Sequence, residues 1–432
     1  MKILVLNAGS SSQKSSLYDL GDSLPGRPPE PVWEVRMEYG VADPRDQETG
    51  ESSAHMTRVR TKARGTATET LADIGSRREA TEHMLASLWR GDAAVVSGPQ
   101  EVDVVGHRVV HGGSDYSDTT RVTPEVKAAI KRLAVFAPLH NQAELEGIEV
   151  VEQTLGAVPQ VVAFDTAFHA RLPMSAAVYP GPYSWLDLGI RRYGFHGINH
   201  QYCAESAAQL LGKDLDSLRL VTCHLGNGCS LAAIRNGRSV DTTMGFTPLD
   251  GLMMGTRSGS VDPGILTYLM RTMRRSGARL DEVLNHESGL LGISGVSSDM
   301  RQVLAAMQAG NARAKLAFEM FVHRLRRNIG AMLASLGGLD AMVFTAGIGE
   351  NSPEVRAAAG EEFGFLGLKI DAAKNTQSRG DEDIAAPDSA VRVFVIRAQE
   401  DWAIARECWR LLRAAASDCT ERLMSSCHSL AV

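Results

Sequence analysis

Along the chain, apolar runs of strand length alternate with stretches whose apolar residues recur at helical spacing. Covered strands are predicted at 3–6, 102–110, 161–164, 218–224, 229–235, 341–344 and 391–396, each a short run rich in Val, Ile, Leu and Phe. Weaker strand-like pieces lie at 32–37 and 56–60. Helical spacing predicts helices at 76–90, from Pro124 to Phe136 behind the Thr123 start signal, at 142–155, near His200, at 263–276, at 299–309 and at 312–336. Further helices follow Ser352-Pro353-Glu354 and begin at Glu400, with a small polar tail from Ser417 expected to fray. Strands and helices alternating in this way predict an α/β fold. A strand, a glycine-bearing turn and a returning strand occur at 3–20 and again at 218–235, so two similar halves facing a shared cleft are expected.

The turns carry the candidate chemistry. In the first, Gly9 and the hydroxyls of Ser10, Ser11 and Ser12 precede Lys14, and two readings stand side by side: a donor-rich phosphate loop or an ordinary serine-rich hairpin. A P-loop is excluded, since Gln13 stands where its second glycine belongs and no amphipathic helix follows. Residues 21–68, rich in Pro, Gly, Ser, Thr and charge, predict a peripheral extension. The strand at 102–110 delivers Arg108 and His111 to the Gly112-Gly113 turn, and that at 161–164 ends on Asp165, where open α/β sheets place ligand groups. LGNG follows the strand ending at His224, and the glycine-rich stretch 251–264 carries Arg257. AGIGEN, a glycine turn between a strand and a capped helix, predicts a nucleotide contact.

Composition narrows the class. The 432 residues exceed what one core usually holds, so two domains are expected, and 44% apolar with 22% charged residues is ordinary for a globular protein. A net charge of -6 offers no basic field for nucleic acid, so any anion must be held by local clusters. The six cysteines show no C-x-x-C pair, and no run reaches membrane-spanning length. With a strand opening directly at the N-terminus, this predicts a cytoplasmic protein with no membrane partner.

Glycine turns on strand ends, arginines in glycine loops (Arg108, Arg257), histidines beside glycines (His196, His224) and Asp165 together point to phosphoryl transfer, which needs electrostatic clamping more than a covalent partner. His111, His169 and His200 are read as structural hydrogen-bonders, and Arg191 and Arg192 are given no role.

In this order, NAGSSSxK, GHRVVHGG, FDTAFH, IRRYGFHG, HLGNG, GTRSG, SGVSSDMR and FTAGIGEN resemble the acetate kinase (acetokinase) family, within the acetate and sugar kinase, Hsp70 and actin superfamily, from residue 3 to about residue 406. The resemblance implies two ribonuclease-H-like (actin-like ATPase) domains with a duplicated βββαβαβα core, residues 1–165 plus 402–432 and residues 166–401, with a central cleft. It implies reversible transfer of the ATP γ-phosphoryl group to acetate, giving acetyl phosphate and ADP, with Mg2+ or Mn2+ and as a homodimer.

Position by position, it implies Asn7 and Glu400 for the metal, Arg108 and Arg257 for the carboxylate and the transferring group, and His196 as a donor to that group. Asp165 would orient the arginine and metal-bound water, and His140 and His224 would line the phosphate path. Ser12, Lys14, Gly226, Asn227 and Gly228 would hold phosphates, while Asp299, Arg301, Gly347, Ile348, Gly349 and Asn351 would hold the nucleoside end. Val110, Leu139, Phe195 and Pro248 would line the pocket for the substrate methyl. The sequence departs from the family where Ser260, Ala398, Gln399, Asp401, Gln142, Ile198 and Asn199 stand. A propionate or other short-chain acyl kinase, or a non-catalytic nucleotide-binding sensor, are the alternatives.

Overall fold

The computed structural model describes the backbone of residues 1–8, 12–38 and 56–429, and within these every side chain except those of residues 8, 12, 56, 138, 139 and 415–429. Gly9, Ser10 and Ser11, together with the side chains of Ser12 and Leu139, lie outside the described residues. The chain divides into two compact units, Met1–Ala167 with Gln399–Val432, and Phe168–Ala398. These boundaries differ by two or three residues from those expected, and they place Glu400 and Asp401 with the first unit.

In the first unit, β1 (Lys2–Ala8), β2 (Ser12–Asp19), β3 (Trp33–Glu38), β4 (Met56–Ala63), β5 (Thr66–Asp73), β6 (Val104–Val109), β7 (Thr120–Arg121) and β8 (Gln160–Phe164) form one sheet. Its order is β5-β4-β3-β2-β1-β6-β8-β7. Strand β1 is buried on both faces, as its unbroken apolar run requires. Leu4 and Leu6 join Trp33, Val35 and Met37 in a core covered by α1 (Arg77–Ala86) and α3 (Pro138–Leu155), while α2 (Pro124–Leu133) starts at Thr123, whose Oγ1 accepts from the Val126 amide at 3.3 Å. The closing helix, Glu400–Ser429, lies on β1 and β6. It approaches so closely that a Cβ at Gly106 would stand 2.6 Å from Ile404.

Two expectations change here. The extension is part of the sheet: alternation in WEVRME buries Trp33, Val35 and Met37 on one face, and β4 and β5 continue the antiparallel ladder outward. The backbone helix runs past Ser417 to Ser429, where fraying was expected.

The second unit contains β9 (Arg219–Leu225), β10 (Cys229–Arg235), β11 (Arg238–Thr242), β12 (Ala341–Thr345), β13 (Glu382–Asp383) and β14 (Arg392–Val395), in the order β11-β10-β9-β12-β14-β13. Asn236 and Gly237, with φ of 52° and 68°, close the β10–β11 hairpin in the left-handed turn their residue types favour. The helices that bear on function are α4 (Gly197–Leu211), α5 (Pro263–Met273), α6 (Met300–Gln308), α7 (Ala312–Leu336), α8 (Ala346–Asn351) and α9 (Pro353–Glu361). AGIGEN, expected as an open glycine turn, is the short helix α8.

Both sheets share one ground plan. The strand orders β3-β2-β1-β6-β8 and β11-β10-β9-β12-β14 each read third, second, first, fourth, fifth in chain order. The first pairs antiparallel with the second and parallel with the fourth in both. An antiparallel edge strand, β7 or β13, closes the same side of each.

Candidate active site

Parallel strands end on one edge of a sheet, so β1, β6 and β8 bring Asn7, Arg108 and Asp165 together, although they are far apart in sequence. Arg108 grips Asp165 through both carboxylate oxygens, Nε to Oδ1 at 3.0 Å and Nη2 to Oδ2 at 2.5 Å. Its Nη1 reaches Asn7 Oδ1 at 3.4 Å, and Glu400 Oε2 lies 3.8 Å from Nε. Burial pulls the Arg108 pKa down, but the Asp165 and Glu400 carboxylates outweigh it and raise it above the ordinary arginine value.

Asn7 turns its amide nitrogen to Glu400 Oε2 at 3.2 Å and Asp401 Oδ1 at 3.0 Å. Asp401, buried, also accepts from Ser16 Oγ at 2.8 Å and pairs with Lys14 at 3.1 Å. Lys14 bridges Asp401 and Glu34, so its charge is already balanced within the first unit. Behind Arg108, Glu144 Oε2 accepts from the Val110 amide at 3.0 Å and Asn141 Oδ1 from the His111 amide at 3.1 Å. These two side chains of α3 fix the backbone that leaves β6. His140 sits half-buried in the first turn of the same helix.

The second unit gathers a different set of groups. His196 caps α4 in the left-handed region, φ 58°, an uncommon conformation for a residue with a side chain. Its ring stacks on that of His224 with centroids 3.9 Å apart and planes 11° from parallel. Gly228, in the turn between β9 and β10, comes so near that a Cβ there would lie 3.5 Å from both His196 Nε2 and Arg257 Nη1. Gly255 packs on Asn227 so tightly that a Cβ would stand 2.0 Å from its Oδ1, and the Gly255 amide donates to the Asn227 carbonyl at 2.9 Å.

Arg257 has no carboxylate partner among the described residues: Nη1 donates to the Pro248 carbonyl at 3.1 Å, with Met254 Sδ at 3.9 Å. Burial accordingly draws its guanidinium below the ordinary arginine value. Phe195 is fully buried beside His196, and Pro248 is half-buried.

A half-buried arginine with no carboxylate partner among the described residues, two stacked imidazoles and a glycine turn are thus gathered in one place. The family model described as the acetokinase family matches residues 2–406. The chain belongs to the acetokinase family. Acetate kinases of Gloeobacter violaceus and Trichormus variabilis are each 59% identical to it, over 96% and 95% of this chain and 100% of each relative. Among solved structures, Porphyromonas gingivalis acetate kinase is 38% identical with a TM-score of 0.84, covering 95% of this chain and 99% of that one. A propionate kinase from Francisella tularensis is 36% identical with a TM-score of 0.83, covering 94% and 98%. Acetokinases are kinases that use ATP, and the two sheets of common order are the paired domains of their actin-like ATPase fold.

The remaining acetokinase motif residues lie in the second unit. Asp299 caps α6, accepts from the Arg301 amide at 2.9 Å and pairs with the exposed Arg301 side chain at 2.6 Å. In α8, Gly347 and Asn351 are exposed and Ile348 half-buried, and Asn351 Nδ2 donates to the Gly347 carbonyl at 2.9 Å. Reasoning from the sequence missed what holds this helix. Glu350 Oε1 accepts from the Ala346 and Ala398 amides, and the buried Arg356 binds the Gly349 and Glu350 carbonyls at 2.9 and 2.7 Å. Asn199, noted only as a departure from the family pattern, donates to His224 Nδ1 at 2.8 Å.

Proposed function

We propose that the chain transfers the γ-phosphoryl group of ATP to the carboxylate of acetate by in-line displacement, and catalyses the reverse reaction, with the Arg108 and Arg257 groups serving one reaction. The observation that carries this is Arg257, a half-buried cation whose described partners are neutral, beside imidazole and glycine backbone. Such a group gains most from an oxyanion, and more as charge builds on the equatorial oxygens in the transition state. Arg108 spends Nε and Nη2 on Asp165, and Nη1, whose described contact is a long 3.4 Å bond to Asn7 Oδ1, is the nitrogen that turns to the acetate carboxylate. Acetate is ionised at neutral pH and needs no general base; it needs its charge screened.

Within this reading His196 donates to the transferring group, and His140 and His224 line its path. Ser12, Lys14, Gly226, Asn227 and Gly228 hold the nucleotide phosphates. Asp299, Arg301, Gly347, Ile348, Gly349 and Asn351 hold the nucleoside end. Val110, Leu139, Phe195 and Pro248 receive the methyl group.

Among the described residues no group of three or more His, Cys, Asp or Glu side chains could cage a metal. The donors available, Glu400 and the amide oxygen of Asn7, suit Mg2+ or Mn2+, hard ions that take one or two protein oxygens and fill the rest with water and phosphate. Bound there, the ion supplies charge neutralisation between nucleotide and acceptor.

Trapping acyl phosphate with hydroxylamine, using acetate, propionate and butyrate in turn, tests the assignment. Acetate should give the highest kcat/KM, and no product from any acid would leave only the sensor. The likeness to a propionate kinase favours propionate as the second substrate, since one methylene is worth about 1–3 kcal/mol.

We further propose a homodimer. Helix α5 buries no residue and exposes Ile265, Tyr268 and Met273, an apolar face suited to a second copy; Tyr268→Asp should yield a monomer in sedimentation analysis. A cytoplasmic setting is supported by Cys203, Cys223, Cys229 and Cys408, all buried as free thiols.

A further inference from the structure

His196 Nδ1 lies 2.9 Å from Ser230 Oγ, and the same hydroxyl lies 2.8 Å from His200 Nε2. On its other side His200 Nδ1 lies 2.7 Å from Thr222 Oγ1, the described partner of that hydroxyl. Ser230, His200 and Thr222 are completely buried. The proton bookkeeping of this row has two solutions.

A serine hydroxyl has one proton, so it donates to one ring nitrogen and accepts from the other. His200 is neutral, because burial, with His169 and His224 as its neighbouring titratable groups, disfavours its charged form; it therefore carries one N–H. If the row runs from His196 toward Thr222, the Thr222 oxygen accepts from His200 and its own buried proton has no acceptor among the described residues. If it runs the other way, Thr222 donates to His200 Nδ1, His200 Nε2–H donates to Ser230, and Ser230 donates to His196 Nδ1. Every donor is then used, and buried polar groups strongly favour that outcome.

We infer that Thr222, His200 and Ser230 form a one-way hydrogen-bond relay that holds His196 as the neutral Nε2–H tautomer, making all three positioning residues for the histidine that donates to the transferring phosphoryl group. Protonating His196 at Nδ1 would require the whole row to reverse. Asn199 does the same for His224 by donating to its Nδ1. Two neutral rings can stack at 3.9 Å beside Arg257 without the repulsion two imidazolium rings would suffer. Both then present N–H donors that do not depend on pH across the histidine range. The inference rests on His196 acting as donor in the proposed reaction, but its test does not.

In the full-length protein labelled with 15N-histidine, the imidazole nitrogen shifts should report His196 as Nε2–H across neutral pH. Thr222→Val, which removes the hydroxyl at nearly constant shape, should release the row. His196 should then show averaged tautomers, and the pH profile of kcat should gain an ionisation step in the ordinary histidine range, about 6.5. Thr222→Ser should keep the wild-type pattern, and Ser230→Ala should reproduce the Thr222→Val result should that variant fail to fold. A wild-type His196 protonated at Nδ1, or tautomer and profile unmoved in both Thr222→Val and Ser230→Ala, overturns the relay. Absence of acyl phosphate with the expected tautomer would instead overturn the kinase assignment alone.

Discussion

Arg108 stands on a core strand and Arg257 in a glycine-rich loop, and the two are surrounded by opposite chemistry. Arg108 lies among Asp165, Glu400 and, through Asn7, Asp401, so its neighbourhood carries more negative than positive charge. Arg257 has carbonyl and thioether neighbours and two imidazoles nearby. The first arrangement suits a cation together with a carboxylate, and the second suits phosphoryl oxygens. The contrast also separates stability from catalysis: a compensated arginine supports its unit, whereas an uncompensated one is held at a cost to it.

Removing either arginine gives the largest expected effect. Arg108→Ala and Arg257→Ala should each lose about 100- to 1000-fold in kcat while ATP still binds, as measured by acyl phosphate formation and nucleotide titration. Near-normal turnover in either would break its assigned role.

Stability should then part the two. Arg108→Ala strands buried Asp165 and half-buried Glu400 and should cost about 3–5 kcal/mol in urea unfolding, while Arg257→Ala should leave the fold unchanged or firmer. Equal losses would erase the comparison.

Glu144 sharpens it further. Burial pushes this carboxyl up from 4.5 to about 8, its Oε1 has no described partner, and Arg108 only partly offsets the effect. Between these values the native state holds a proton that the unfolded chain has released, so stability falls as pH rises. The slope is at most about 1.4 kcal/mol per pH unit. Glu144→Gln should flatten the decline in melting temperature between about pH 5 and 8; an unchanged slope would assign it elsewhere.

The smallest effect belongs to Lys14. Its side chain is 43% exposed, and buried Asp401 keeps hydrogen bonds from Ser16 and Asn7 when Lys14 is lost, so Lys14→Met should cost only about 1 kcal/mol in unfolding.

The duplicated plan was legible because its inner strands are unbroken apolar runs. So were the strand-end positions of Arg108 and Asp165, each at the end of such a run, whereas Asn7 came only with the family resemblance. The outer strands were legible only in part: the weak signals at 32–37 and 56–60 are β3 and β4, but their place in the main sheet was hidden because the apolar face of WEVRME is only three residues deep within a polar stretch, and TATETLAD has no buried face to betray it. Helix α8 was hidden by its glycines, which signal a turn when Glu350 and Arg356 are not seen to hold it. Asp401, Ser230 and Asn199 act only through partners that the fold brings to them. The Ser16–Asp401 bond, for one, spans 385 positions. No local pattern announces such a contact.

The common strand order makes Asn7 and His224 counterparts. Each is the sixth residue of a seven-residue first strand, and Thr345 stands level with His224 on the neighbouring fourth strand. By the register of Leu6 with His107, Arg108 stands level with Asn7. Strand order and position along the strand match at these paired positions, while the side chains differ. Grafting the Asn7–Arg108 pair onto 224 and 345, or the reverse, would ask whether a duplicated ancestor needed new architecture to become asymmetric, or only a few substitutions at the mouths of two identical ladders.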